Sequence, residues 1–261
     1  MSWKDIFPKE NRYFETDNGI LYCGDSLKIM EKFPKESIDL IVTSPPYNKG
    51  YWSRNRNTKN GFKTKSRKID YGVFDDMMNP EKYEKWQKQI LNKSINLIKE
   101  KGSIFYNHID ILREHQTHHP LYVYEFPLKQ IIIWNRKNTP KLDKSYFFPV
   151  TEYIFWLQKN KKSRTKYNRK KAKFKTNVWE FSCDKNNNHP APFPIELPTN
   201  CILSTTEKGY LVMDPFAGSG TTLVAAEKLN RRWIGVELNP EYCKIAKQRI
   251  LKVDVKEGNN V

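Results

Sequence analysis

Cysteine is scarce in this sequence, and long hydrophobic runs are missing altogether. No run approaches the ~20 apolar residues of a membrane-spanning helix, and the first ten residues lack the apolar stretch of a signal peptide. We therefore expect a soluble, cytoplasmic protein with no membrane partner. The cysteines form no C-x-x-C pair, which argues against a zinc centre and a disulfide framework; they are Cys23, Cys183, Cys201 and Cys243.

Acidic residues are missing from two stretches that carry much of the basic charge. Eight Lys or Arg lie between residues 49 and 69 and ten between residues 159 and 175, which together exceed the net charge of +17. Aromatic and amide side chains lie among these charges, a mixture suited to phosphates and unstacked bases. We expect segments 49–71 and 158–176 to contact nucleic acid, although two solvated loops are the alternative. The candidate residues are Arg54, Arg56, Lys63, Lys65, Arg67, Arg164, Arg169 and Lys170.

Three histidines have the spacing of one helix face, i, i+3 and i+4. They are His115, His118 and His119, but Pro120 follows at once and no carboxylate completes a ligand set. We interpret them as surface or loop residues and predict no metal site.

Short apolar runs alternate with helical patterns along the whole chain. A chain of 261 residues can bury a substantial core, and we expect one domain over residues 1–261. The alternation predicts an α/β fold with a mostly parallel sheet of about seven strands and helices on both faces. The predicted strands are residues 20–23, 38–43, 103–107, 129–134, 152–157, 212–214 and 233–237.

One helix has clear start and stop signals. Asn79 is suited to cap it, Pro80 to occupy its first position, and Gly102 to end it. Aromatic and aliphatic residues recur inside it at near-helical spacing, beginning with Tyr83 and Trp86. We assign this stripe to the core.

Two consecutive prolines follow one of the predicted strands, in the segment Ser44-Pro45-Pro46-Tyr47. Proline has no backbone N–H and holds φ near about −65°, and it also favours an extended preceding residue, so this corner is stiff. The Ser44 hydroxyl and the Pro45 carbonyl are suited to accept the hydrogens of a nucleobase amino group and return its lone pair to nitrogen, while Tyr47 offers a flat face to the base. The alternative is a proline pair that only ends a strand.

A second motif lies near the other end of the chain, between residues 209 and 226. It has the pattern of a strand, a turn containing Gly218 and Gly220, and a helix whose first N–H groups are free to bind a ligand. Nineteen positions after Gly218, Glu237 ends the next apolar run, where a carboxylate can accept both hydroxyls of a ribose. The pattern lacks the third glycine of the dinucleotide fingerprint, so an ordinary tight turn is the alternative.

Together the two motifs resemble the amino-group DNA methyltransferases that use S-adenosylmethionine. The order, Ser44-Pro-Pro-Tyr47 before Asp214-Pro-Phe-Ala-Gly-Ser-Gly-Thr-Thr222, is similar to the permuted (beta) subgroup. The resemblance implies a Rossmann-like methyltransferase fold with one antiparallel strand near an edge, and double-stranded DNA as substrate. It also implies catalytic roles for Ser44, Pro45, Pro46 and Tyr47. The cofactor residues that it implies are Asp25, Pro192, Phe193, Asp214, Phe216, Ala217, Gly218, Ser219, Gly220, Thr221 and Glu237.

The target base is the hardest part of the prediction. In the family, enzymes with Ser in the first motif position commonly methylate cytosine N4, whereas enzymes with Asp or Asn there commonly methylate adenine N6. Ser44 therefore favours cytosine as the target, and adenine is the alternative. Rival functions are methylation of a protein glutamine, a nucleic-acid-binding subunit without catalysis and, least favoured, an NAD-binding oxidoreductase. The resemblance also implies a possible companion restriction endonuclease and homodimer formation.

Overall fold

The computed structural model describes residues 2–53, 74–113, 116–137, 147–182 and 194–253. Eleven strands and six α-helices lie in these residues, with two short 3₁₀ helices at Trp3–Ile6 and Leu121–Glu125. The strands are β1 (Arg12–Thr16), β2 (Gly19–Cys23), β3 (Ile38–Thr43), β4 (Ile98–His108), β5 (Ile111–Arg113), β6 (Gln116–His118), β7 (Leu128–Asn135), β8 (Thr151–Gln158), β9 (Val178–Glu180), β10 (Leu211–Asp214) and β11 (Arg232–Glu237). The helices are α1 (Ser26–Glu31), α2 (Lys49–Ser53), α3 (Pro80–Leu97), α4 (Glu196–Thr205), α5 (Thr221–Lys228) and α6 (Pro240–Leu251).

The main sheet has nine strands within the described residues, in the order β1-β2-β11-β10-β3-β4-β8-β7-β9. All seven predicted strands are present, but the expected number of about seven is too low, because β1 and β9 add an edge on each side. Two strands, β1 and β8, are antiparallel to the other strands of this sheet, whereas only one antiparallel strand was expected. The two missed strands are short and half exposed, so neither has the apolar run that marks a buried strand.

Helices cover both faces of this sheet. In β3, Leu40 and Val42 pack in the same core cluster as residues of α4, α5 and α6, whereas Ile41 packs on the opposite face with residues of α1 and α3. Successive side chains of a strand point to opposite faces, so a strand with no polar alternation is buried on both. The mostly parallel α/β architecture predicted from the sequence is confirmed.

Helix α3 begins as predicted and ends earlier than predicted. The Asn79 side chain accepts a hydrogen bond from the Lys82 amide at 2.8 Å, and Pro80 is the first helical residue. The helix stops at Leu97, not at Gly102, because Ile98 enters β4 directly and pairs with Ile38 of β3. Ile98 is fully buried in the sheet, so its apolar side chain belongs to the strand rather than to the helical stripe.

The sheet changes its winding direction between β3 and β10, which are neighbouring parallel strands. Helix α3 follows β3 on one face, and α5 follows β10 on the other face. In an open α/β sheet a crevice forms at the carboxyl ends of the two strands that flank such a switch. The two sequence motifs follow these two strands and therefore meet at this crevice.

Candidate active site

A cavity of about 330 Å³ lies at the carboxyl ends of the parallel strands. Its size is at the lower end of the range for small-molecule sites, which is about 300 to 1,000 Å³. Both motifs line it, so the corner after β3 and the glycine turn after β10 share one site. The lining residues that were predicted from the sequence are Asp25, Ser44, Pro45, Pro46, Tyr47, Phe216, Ala217, Gly218, Ser219, Thr221 and Glu237.

The corner after β3 is held by hydrogen bonds between side chains. The Ser44 hydroxyl lies 2.5 Å from the Tyr47 hydroxyl, and the Asn107 side-chain amide donates to the Tyr47 oxygen at 2.8 Å. Tyr47 is buried, and its ring packs against His108 at a centroid distance of 5.0 Å. Burial lowers the pKa of His108 to about 4, so this imidazole is neutral near pH 7.

Helix α3 fixes the second proline of the corner through hydrogen bonds. Tyr83 donates from its hydroxyl to the Pro46 carbonyl at 2.8 Å, and the same hydroxyl lies 3.0 Å from Nε2 of His108. The Gln87 amide donates to the Tyr83 oxygen at 2.6 Å. The rigidity predicted from the two prolines is therefore supplemented by a polar network that holds the Pro46 carbonyl in place.

The glycine turn is closed by Glu237, at the end of β11. One carboxylate oxygen accepts from the Gly218 amide at 2.7 Å and the other from the Asn239 amide at 2.8 Å. Burial raises the pKa of Glu237, and the two backbone amides oppose that rise. This carboxylate thus fixes the turn and lines the cavity at the same time.

Gly220 and Asp214 do not line the cavity within the described part of the chain, although both were predicted cofactor residues. Gly220 has φ +80°, and a Cβ there would lie 2.9 Å from Cβ of Ala246, so its glycine serves close packing of the turn against α6. Asp214 is buried below the turn, where it accepts from Thr43, Thr222 and the Phe216 amide. Burial raises the pKa of Asp214 to about 6.

Asp25 begins α1 and also lines the cavity. Its carboxylate accepts from the Lys28 amide at 3.0 Å, so Asp25 caps the start of α1. Pro192 and Phe193, the remaining predicted cofactor residues, lie outside the described residues, as do His115 and Cys183.

Several apolar residues of the cavity wall were not predicted. Trp86 of α3 was assigned to the core, but it lines the cavity and packs against Phe216 and Phe74 at centroid distances of 5.4 and 5.0 Å. Trp86 lies in the second turn of α3, close to the helix start at the rim of the sheet, whereas the buried Ile90 and Leu97 lie further along the helix. This position is the sequence signal that could have identified Trp86 as a cavity residue. The other unpredicted lining residues are Ser26, Leu27, Phe74, Asp75, Met78, Leu238 and Tyr242.

The first basic segment starts at the mouth of the cavity. Helix α2 contains its first five residues, and the Gly50 amide donates to the Asp76 carboxylate at 2.8 Å. Just before it, Asn48 exchanges two hydrogen bonds with the backbone of Met78, at 2.7 and 3.0 Å. The candidate DNA contacts Arg54, Arg56, Lys63, Lys65 and Arg67 lie outside the described residues.

The second basic segment, 158–176, contacts the start of β4, at the end of that strand away from the cavity. The Lys166 amide bonds to the Lys101 carbonyl near the start of β4, six residues and roughly 20 Å before Asn107. Lys166 and Lys171 pair with Glu207, at 3.0 and 2.5 Å, and their hydrogen bonds lower the pKa of Glu207 to about 2. Arg164, Arg169 and Lys170 do not line the cavity, and their contact with DNA stays a prediction.

No group of three or more His, Cys, Asp or Glu in the described ranges is arranged to hold a metal ion. Of the described histidines, His119 pairs with Asp110 at 2.5 Å. No helix in the same part of the chain is long and apolar enough to cross a bilayer.

The fold is that of a methyltransferase. The solved structure of PvuII DNA methyltransferase (cytosine-N4-specific) aligns with a TM-score of 0.73 over 95% of this chain and 92% of that protein, at 24% sequence identity. TTHA0409 of Thermus thermophilus, described as a DNA modification methylase, was solved with S-adenosyl-L-methionine. It aligns with a TM-score of 0.61 at 26% identity, over 89% of this chain and 94% of that protein. The Rossmann-like methyltransferase fold implied by the motifs is thus confirmed.

The sequence itself places the chain within one group of these enzymes. Residues 38–248 match the family model N6_N4_Mtase, described as DNA methylase. The Type II methyltransferase M2.LlaDCHI of Lactococcus lactis subsp. cremoris is 32% identical over 92% of this chain and 92% of its own length. The chain belongs to the N6/N4 DNA methylase family, and it is an enzyme that methylates an amino group of a DNA base.

Proposed function

We propose that this chain transfers a methyl group from S-adenosylmethionine to the N4 amino group of a cytosine that is rotated out of double-stranded DNA. The single observation that carries this proposal is the shared cavity: Ser44 and Tyr47 on one wall and Gly218 and Glu237 on another line the same space. A base inside a duplex cannot reach such a cavity, so it must leave the stack first.

The chemistry of the wall fits S-adenosylmethionine. Glu237 and Asp25 are carboxylates suited to the ribose hydroxyls and the adenine, and the glycine turn leaves room for close approach of a ligand. Trp86 and Phe216 add a flat apolar surface for a ring. When bound, the cofactor supplies an electrophilic methyl group. The cofactor bound in the Thermus thermophilus relative supports the same assignment here.

The corner after β3 would activate the target nitrogen. The Ser44 hydroxyl and the Pro45 carbonyl would accept the amino hydrogens and localise the lone pair on nitrogen, where positive charge grows in the transition state. Tyr47 would position the base against the corner, which α3 and Asn107 hold rigid. Direct transfer needs no covalent bond between the enzyme and the base.

Ser44 favours cytosine over adenine as the target, because Ser in this position commonly accompanies N4 methylation in the family. Adenine N6 is the second candidate, since both amino groups present similar geometry to the corner. The decisive experiment is digestion of methylated DNA followed by mass analysis of its nucleosides. Recovery of N4-methylcytosine supports the proposal, and recovery of N6-methyladenine alone replaces cytosine by adenine.

We further propose one catalytic domain over residues 1–261 of the permuted subgroup, because the Ser44 motif precedes the Asp214 motif in the chain. The Type II methyltransferase name of the relative supports a role beside a companion restriction endonuclease. Segment 49–71 is the better candidate for contacts with the target DNA, because it starts beside Tyr47. Homodimer formation stays a prediction that light scattering of the purified protein tests.

Substrate class is tested by offering labelled S-adenosylmethionine with DNA, RNA and protein as separate acceptors. We expect label in double-stranded DNA only, and Ser44→Ala should slow its incorporation by about 10²-fold while cofactor binding stays within about threefold. Label in protein would favour the glutamine alternative, and cofactor binding without any transfer would favour a non-catalytic subunit.

A further inference from the structure

A buried carboxylate lies behind the candidate catalytic corner, on a strand that the sequence motifs do not mark. Glu152 is near the start of β8, where the antiparallel strand reaches the carboxyl end of β4. Its Oε2 atom accepts from the Asn107 side-chain amide at 2.7 Å, and its Oε1 atom lies 3.2 Å from Nη1 of Arg136. Glu152 also contacts the Tyr47 hydroxyl.

The hydrogen-bond directions in this cluster are set by Asn107. Its amide nitrogen donates to both the Tyr47 oxygen and Glu152, so the Tyr47 oxygen acts as an acceptor there. The Tyr47 proton is then directed to the Glu152 carboxylate, and the Ser44 hydroxyl, 2.5 Å from the Tyr47 oxygen, donates to Tyr47. This order leaves the oxygen of Ser44 as an acceptor next to the cavity.

We propose that Glu152 is the acceptor of the proton released by the target amino group, delivered through the hydroxyls of Ser44 and Tyr47. This inference rests on the proposed function. As the nitrogen lone pair forms the bond to the methyl carbon, the bond from that carbon to its donor breaks and its electron pair stays with the donor. The N–H bond then breaks with its pair left on nitrogen. The proton goes to Ser44, the Ser44 proton to Tyr47, and the Tyr47 proton to Glu152.

Cationic and hydrogen-bonding groups around Glu152 oppose the effect of its burial. Burial raises the pKa of Glu152, whereas Arg136, Asn107, Lys49 and Tyr47 lower it. Arg136 follows β7 and Lys49 belongs to α2, so cationic groups approach the carboxylate from two elements. The pKa of Glu152 is raised overall, because burial outweighs these groups, so this carboxylate takes up a proton more readily than an exposed one, as a proton acceptor requires.

One feature of the cluster argues against a purely structural role. The side-chain oxygen of Asn107 is buried and has no hydrogen-bond partner within the described residues. Leaving such an oxygen unpaired costs about 1–3 kcal/mol, which a cluster kept for stability alone would avoid. The amide orientation that leaves it unpaired is the one that serves both Tyr47 and Glu152.

The test compares Glu152→Gln, Tyr47→Phe and their double variant, with Glu180→Gln as the matched control. Glu180 is an exposed carboxylate on the edge strand β9, where it accepts a hydrogen bond from the Asn135 side chain. The measurement is the single-turnover methylation rate of a DNA duplex from pH 5 to 8.5, with equilibrium binding of S-adenosylmethionine and of DNA measured on the same variants.

We expect Glu152→Gln to lower the rate by about 10²-fold at pH 7, with both binding constants within about threefold. The wild-type rate should rise with pH on the acid side, and this dependence should disappear in Glu152→Gln. Tyr47→Phe should give a similar loss, and the double variant should lose little more than either single variant. Glu180→Gln should match the wild type.

Two results would overturn the inference. One is a Glu152→Gln variant that keeps the wild-type rate and pH profile. The other is a rate loss matched by an equal loss of cofactor binding or of folded protein, with an unchanged pH profile, which would make Glu152 structural. A wild-type chain that methylates no DNA would instead contradict the proposed function, so the two failures are distinguishable.

Discussion

The hydroxyl of Thr43 donates to the carboxylate of Asp214 across 2.7 Å, which joins the last residues of the adjacent strands β3 and β10. The chain diverges after each of these residues, to the Ser44 corner on one side and to the glycine turn on the other. Asp214 also accepts from Thr222 at the start of α5. This one buried carboxylate therefore sets the spacing of the two segments that form the cavity.

Asp214 should make the folded state less stable as the pH rises. Its pKa is about 6 in the folded protein against 3.8 as the ordinary value, so the folded state binds the proton more tightly than the unfolded chain. The stabilisation is complete below pH 4 and is lost as the pH rises to about 6, by about 3 kcal/mol. Urea unfolding of the wild type and of Asp214→Asn at pH 4, 5, 6 and 7 measures this difference.

Thr43→Val provides a second check on Asp214. It deletes one donor to the carboxylate, so it should raise the pKa of Asp214 further and extend the loss of stability to higher pH. A stability difference between the wild type and Asp214→Asn that does not vary with pH would contradict the assignment.

Gly220→Ala should destabilise the protein through both backbone strain and a clash. The residue has φ +80°, and the new Cβ would lie 2.9 Å from Cβ of Ala246. Gly209→Ala is the matched control, because Gly209 has φ +79° and a Cβ added there would meet no atom within 4 Å. We expect Gly209→Ala to lower the free energy of unfolding by about 1 kcal/mol. Gly220→Ala should lower it by about 1 to 3 kcal/mol more than Gly209→Ala does. Equal losses in denaturant unfolding would show that packing against α6 is unimportant.

Glu237→Gln should weaken binding of the methyl donor by about 10 to 100-fold. The carboxylate accepts from the amides of Gly218 and Asn239, and the amide group of Gln can replace only one of these acceptors. The turn should loosen and the acceptor for the ribose should be lost together. Titration calorimetry with S-adenosylmethionine gives the affinity, and Glu241→Gln, in the first turn of α6, is the control. Unchanged affinity in Glu237→Gln would remove this residue from the cofactor site.

The two basic segments should differ in their contribution to DNA binding. Replacing Arg54, Arg56 and Lys63 by Ala should reduce the slope of log affinity against log salt by about 0.9 for each lost phosphate contact. The equal charge change at Arg164, Arg169 and Lys170 should leave that slope within error, because that segment contacts the start of β4, away from the cavity. The opposite ranking in a salt titration by fluorescence anisotropy would reverse the assignment of the DNA face.

Much of the fold could be predicted because the buried strands are continuous apolar runs. Ile38 to Thr43 and Trp233 to Glu237 are buried on both faces of the sheet, so their sequences contain no competing helical period. The shared cavity could be predicted for a related reason: strands that run in parallel bring their carboxyl ends to one rim, and each motif follows a strand.

The remaining features depend on which distant residues meet, and a local pattern does not encode that. The spacing of Trp86 along the helix fits both a core residue and a cavity-wall residue. Only its position near the start of α3 shows that it belongs to the cavity wall. Glu152 is an isolated acid in an apolar strand, and its partner Asn107 is brought to it by the pairing of β4 with β8. The second basic segment has a suitable composition for DNA contact, but its hydrogen bonds to the start of β4 decide its place.

The reciprocal hydrogen bonds between Asn48 and Met78 close a loop at its base. The chain between them leaves and returns beside the cavity, and Phe74 and Asp75 on its returning side form part of the cavity wall. The entropy of closing a loop grows by only about 0.6 kcal/mol per doubling of its length, so the number of residues between the two ends should have a small effect on stability as long as both ends keep their contacts. A segment exchanged between Asn48 and Met78 should therefore keep Phe74 and Asp75, because the wall of the cavity depends on them.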